Sequence, residues 1–203
     1  MDTLLDSGKY SDLRIVCRQE SWNVHRNVIS TASSVLERMN AHPGLIDLTE
    51  YEPKIVEKML RFIYQEDYDD EHETVPLPDS IKHAPQKPGR PLPNGEALLV
   101  NIKVLIIAEK FGLDDLMDLA VEKHDGAAQE LWDTPSFEKS ITLLYDSKMD
   151  EVGSLAFRRA TADAIANNAA ALLERATFRE VLNRYGDLAT EVLSVVTTGK
   201  GWL

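Results

Sequence analysis

The residues from which nucleophilic or metal chemistry would be built are one cysteine, Cys17, and five histidines, His25, His42, His72, His83 and His124. A nucleophile needs an activating base within hydrogen-bond reach. Cys17 instead alternates with Leu13 and Ile15 along one apolar strand face, so it reads as a buried structural thiol. The histidines show no HExxH or related metal spacing, and no glycine-rich phosphate loop is present. A single cysteine also excludes a disulfide framework and any zinc site made of several thiolates.

Two further clusters carry charge. Glu66, Asp67, Asp69, Asp70, Glu71 and Glu73 surround His72 and have the ligand types for a hard cation, which would make a metal-dependent enzyme the competing class. They lack the central glycine and closing glutamate of an EF-hand loop, so a solvated charge run is expected and no metal or cofactor is assigned. Asp12, His25 and Arg26 stand at strand ends, where they read as satisfied polar residues. The spacings Lys82-x-x-Pro85-x-x-Pro88 and Pro85-x-x-Pro88-x-Arg90 would suit a polyproline ligand, although such matches arise in any proline-rich linker.

The elements that must position these residues follow from periodicity. SDLRIVC and WNVHR alternate with a period of two and read as a hairpin across the polar turn RQES, although that turn lacks Asn-Gly or Asp-Gly. Val28, Ala32, Val35, Leu36 and Met39 then share a helical face, with Ser33 or Ser34 placed to cap a second turn and Glu37 at capping-box spacing from Ser34. His42-Pro43-Gly44 is a turn and Leu45 to Leu48 a short strand. Pro53 opens an amphipathic helix to about Tyr64. Its apolar face, Ile55, Met59 and Phe62 or Ile63, is too broad to point wholly inward, so a rim beside Tyr64 and Tyr68 is expected to meet a partner.

About 66–94 concentrates acid and proline without apolar period and reads as a surface insertion that can be removed without loss of stability. Leu98 to Phe111 is a helix buried on most sides that stops at Gly112. Asp114 is expected to cap the next helix, ending near Gly126. Thr134-Pro135 restarts a helix whose inner face is Phe137, Ile141, Leu144 and Tyr145, a face that must dock on the rest. Asp150 can cap another, a break falls near Asn167-Asn168, Thr177 and Glu180 have capping-box spacing, and Gly186-Asp187 precedes the last helix.

The chain has 203 residues, 43% hydrophobic and 28% charged, the make-up of a globular chain with one domain and an appendix. A formal charge of -12 argues against nucleic-acid and anionic-membrane partners, since phosphate neutralisation needs clustered Lys and Arg. The N-terminus MDTLLDSGKY has no signal-peptide pattern and no run is long enough for a membrane span. An intracellular protein, nuclear or cytoplasmic, is expected.

Ser11-Asp12, Val24-His25-Arg26, Val28-Ile29 and Ser33 to Met39, followed by IDL, EP and IVEKMLRFIY and then by KVLIIAEKFGLDDLMDLA, resemble in order and spacing the BTB/POZ domain, a protein-interaction module. Single-BTB proteins of filamentous fungi, with variable insertions after the third helix and a helical tail, are the nearest resemblance. It implies an α+β BTB/POZ fold, a small sheet with a helical cluster, over about 5–127, and an all-helical extension over 128–203. It also implies a non-catalytic module that either homodimerises or serves as substrate adaptor of a cullin-type ubiquitin ligase, with Met59, Phe62, Tyr64 and Tyr68 at the partner surface. Transcription-type members use the positions of Asp12 and Arg26 as a charged pocket, and members that swap N-terminal strands to dimerise carry a longer extension before the first strand.

Overall fold

In the computed structural model the described residues are 4–39, 44–72, 95–147, 149 and 151–198, the last span without the side chains of 151–153 and 198. His42, His83, Glu73, both proline spacings and the cap expected at Asp150 lie outside them.

The alternation around Cys17 becomes β1 (Leu13–Cys17), antiparallel to β2 (Glu20–Val24). Pairing Leu13 with Val24 and Ile15 with Trp22 puts these residues on one face, where Leu13, Ile15, Cys17 and Val24 are buried. The turn between the strands is Arg18-Gln19, with Arg18 held at φ 52°. That left-handed backbone costs a side-chain-bearing residue about 1–2 kcal/mol. β3 (Leu45–Asp47) lies parallel to β1, giving the order β2-β1-β3.

Parallel neighbours need a crossover, here α2 (Arg26–Ala32) and α3 (Ser34–Met39). Ser33, not Ser34, caps α3. Its Oγ accepts from the Leu36 amide at 3.1 Å and donates to the Phe111 carbonyl at 2.5 Å. Burial decides between the two serines, because only Ser33 reaches that inner carbonyl. The short α1 (Leu4–Ser7) precedes the sheet, tied by Asp6 to Arg61 at 2.5 Å.

α4 (Pro53–Gln65) begins on proline and ends at Glu66, left-handed at φ 60°. α5 (Glu96–Phe111) is buried on most sides and stops at Gly112, φ 63°, as a strongly apolar helix followed by glycine should. Gly95 at its start permits a close approach, since a Cβ there would stand 2.5 Å from that of Ser136. α6 (Asp114–Leu131) departs from expectation at both ends. Leu113 occupies the cap position with Asp114 as first helical residue, and the helix passes through Gly126. A helix-interior glycine costs about 1 kcal/mol against alanine, which is offset because Ala127, Ala128 and Leu131 all bury on the far side of it. The division expected at Ala127 therefore falls inside a continuous helix.

Beyond it come α7 (Pro135–Asp146), α8 (Glu151–Asn167), α9 (Ala169–Glu174), α10 (Ala176–Arg184) and α11 (Gly186–Thr198). Leu144 and Phe157 join the core built on the sheet, while Phe137, Ile141, Ile165, Leu172, Phe178 and Leu188 form a second core against Ala97, Leu98, Ala128 and Leu131. α5 and α6 thus wall both cores, and the helical tail is docked. Thr177 lies inside α10 and donates to Glu138 at 3.1 Å instead of capping. Among the described residues the architecture is α+β, three strands and helices followed by a helical region.

Candidate interaction surface

The charged residues at the strand ends and the end of α4 come together through one phenol. Tyr64 Oη lies 2.8 Å from the His25 amide nitrogen and 2.9 Å from its Nδ1, and His25 Nε2 is 2.8 Å from the Lys9 carbonyl. A carbonyl only accepts, so the neutral imidazole carries its proton on Nε2. Tyr64 then donates to Nδ1 while accepting from the His25 amide. Burial raises the pKa of Tyr64, against the His25 amide bond and with help from the Asp12 charge.

Asp12 contacts Arg26 through the main chain. Its Oδ1 accepts from the Arg26 amide at 2.8 Å, satisfying a first-turn donor of α2 that His25, at the cap position, does not cover with its side chain. The pocket of Asp12, His25 and Arg26 is therefore also the joint that holds β1, α2 and α4 together.

Along α4 the partner-facing set divides. Phe62, Ile63 and Tyr64 are half-buried, whereas Met59 is fully buried and Tyr68 is 3% exposed. Met59 and Tyr68 are thus removed from the expected rim. Met59 sits one turn too early and faces the core, and Tyr68 is carried inward because its ring buries apolar area while its hydroxyl finds a partner.

That partner is Asn101, a lone amide in the apolar run of α5. Tyr68 donates to Asn101 Oδ1 at 2.7 Å, and Asn101 Nδ2 donates to Asp70 Oδ2 at 2.9 Å. The acidic segment 66–72 is therefore a strap and not a solvated run, although Glu66, Asp67 and Asp69 are exposed. Asp67 pairs with Lys123 at 2.9 Å, and Glu71 pairs with Lys54 at 2.6 Å and Lys58 at 3.2 Å. The hydrogen bond from Lys123 lowers the Asp67 pKa, and that from Lys54 lowers the Glu71 pKa with Lys58 adding to it. His72 Nε2 stands 3.4 Å from Glu130. These carboxylates diverge to different helices, and among the described residues no three His, Cys, Asp or Glu side chains gather as metal ligands.

Cys17 is fully buried, its thiol directed at the Tyr51 carbonyl at 3.3 Å, and burial pushes its pKa up. A thiol so placed is a poor nucleophile. His124 is buried between α6 and α8, stacked on Phe157 at 4.3 Å, and burial drives its pKa down to about 3. Asn101, Lys54, Lys58 and Lys123 were not singled out in the sequence. Asn101 alone carried a signal, as an unaccompanied amide in a helix otherwise built to be buried.

A family model for the BTB/POZ domain matches residues 1–79. No curated protein matches the chain. The three-stranded sheet, α2, α3 and α4 all fall within the match, and the core they share continues into α5 and α6. BTB/POZ domains are protein–protein interaction modules and generally not enzymes. Among the described residues no helix is long and apolar enough to cross a membrane.

Proposed function

We propose that the chain is a non-catalytic docking adaptor whose BTB/POZ part offers the end of α4 to a cullin-type scaffold, so that it serves a ubiquitin ligase. The observation that carries this reading is the half-buried Phe62, Ile63 and Tyr64 beside Asp12, His25 and Arg26, while the apolar side chains of the earlier turns of α4, Ile55, Val56, Met59 and Leu60, are buried. Aromatic and aliphatic groups with a charged rim are the usual centre of an interface. The strap's anchors lie on Lys54, Lys58, Asn101 and Lys123, none of them in that patch. A reducing intracellular setting, nucleus or cytoplasm, suits the buried free thiol.

Light scattering of the purified chain, alone and with a cullin N-terminal fragment, tests the proposal. A complex is expected, weakened by about 1 kcal/mol or more in Phe62→Ala. Leu60→Ala, fully buried, is the folding control and should cost about 2–5 kcal/mol of stability. Absence of a complex would overturn the adaptor reading. A doubled mass of the chain alone would favour a homodimeric scaffold or transcription-regulatory module, for which Leu4, 46% exposed, and Tyr10, 81% exposed, are available.

A further inference from the structure

Between the β1–β2 turn, the start of α4 and the outer side of α5 lies an open cleft of about 200 Å³ that neither core fills. Its floor is Ile55, Ile106 and Ile107, with Tyr51 beside them. Small-molecule sites span roughly 300–1,000 Å³, so this one suits a single large apolar side chain. Tyr51 is fixed in place. Its amide donates to the Leu48 carbonyl at 3.0 Å, its own carbonyl accepts from Cys17, and its ring packs on Phe111 at 5.6 Å. Burial, with the Glu50 charge, pushes its phenol up to about 12, so it remains a neutral donor.

The rim is charged and mostly satisfied. Glu52 and Lys103 pair at 2.8 Å, and Glu50 acts on the Tyr51 phenol. Arg18 is exposed and takes no ion pair or side-chain hydrogen bond among the described residues. It stands at φ 52°, where glycine would be at ease, so backbone geometry does not account for an arginine there.

We propose that this cleft binds one large apolar side chain of a partner peptide, with Arg18 taking the carboxylate of the adjoining acidic residue. The proposal rests on the chain being an interaction module and is independent of which scaffold the end of α4 meets. Complementarity selects the peptide's charge, because Lys103 is held by Glu52 and Arg18 is the rim cation left to pair.

The test is isoleucine-methyl NMR of the full chain titrated with N-acetyl-Leu-Glu-amide and N-acetyl-Leu-Lys-amide. Saturable shifts are expected at Ile55, Ile106 and Ile107, with the Lys peptide weaker by about fivefold, the scale of one exposed ion pair. Arg18→Gly should weaken the Glu peptide to the same degree without lowering the melting temperature, since it relieves the turn, and Arg18→Lys should retain most of the binding. Phe62→Ala should leave the titration unchanged, which separates this cleft from the α4 surface. Equal affinity for both peptides, shifts without saturation, or full binding by Arg18→Gly would each overturn the proposal. Should Arg18→Gly melt early, retention by Arg18→Lys supports the charge role and its loss refutes it.

Discussion

Tyr68→Phe and Asn101→Ala, singly and together, measure whether the acidic strap is part of the folded core. Asn101 is fully buried, Tyr68 is 3% exposed and Asp70 8% exposed, so water cannot replace a lost partner. Removing the Tyr68 hydroxyl leaves Asn101 Oδ1 without its 2.7 Å donor. An unsatisfied buried amide oxygen costs about 1–3 kcal/mol. Asn101→Ala strands both the phenol and one Asp70 oxygen and adds a small cavity, for a loss of about 3–5 kcal/mol. Because the phenol has already lost its acceptor in Asn101→Ala, adding Tyr68→Phe should cost little more, a coupling of about 1 kcal/mol or greater. Urea unfolding reads this as midpoints that move at constant slope. By the same logic, deleting Asp69 to Pro91 removes Asp70 and Glu71 and should destabilise the fold beyond the roughly 0.6 kcal/mol that a doubling of loop length accounts for. Additive single effects, a Tyr68→Phe loss under about 0.5 kcal/mol, and a neutral deletion would show that the strap is off the core in solution.

His124 should make the protein acid-sensitive. Its folded pKa, about 3, lies below the unfolded value near 6.5, so the unfolded state takes the proton first. Stability is then level above that value and falls by about 1.4 kcal/mol per pH unit as pH drops toward 3, or about 2 kcal/mol by pH 5. The lowered pKa values of Asp67 and Glu71 act in a more acidic window, outside thermal melts from pH 7 to 5, and the slope lost in His124→Gln is the share of this histidine. If His124→Gln keeps the full slope, the assignment fails. Tyr64→Phe should free His25 Nδ1 and the His25 amide at a cost of about 1–2 kcal/mol. Nitrogen NMR should find the His25 ring proton on Nε2 in the wild type, and an Nδ1 proton there would contradict the bond pattern.

Local periodicity determined much of this protein. Leu13, Ile15 and Cys17 alternate, the apolar run of α5 ends at glycine, and Pro53 and Pro135 open helices, all set by backbone sterics and burial within a few residues of one another. These made the α+β architecture legible, and the order of the pieces suggested a BTB/POZ domain, for which the match spans residues 1–79. The tertiary structure decided what has no period. Whether Ser33 or Ser34 caps, whether α6 ends at Gly126, and whether Met59 or Phe62 turns outward depend on what the opposite wall presents. The acidic strap is the clearest case. Its spacing is that of a solvated loop, and nothing within ten residues predicts burial. Tyr68 nonetheless meets Asn101 33 positions away, and Glu71 meets Lys54 and Lys58 from 17 and 13 positions away. Tyr64 likewise finds His25 across 39 residues. A buried polar group is tolerated only beside its partner, and that partner's position is a property of the packed helices.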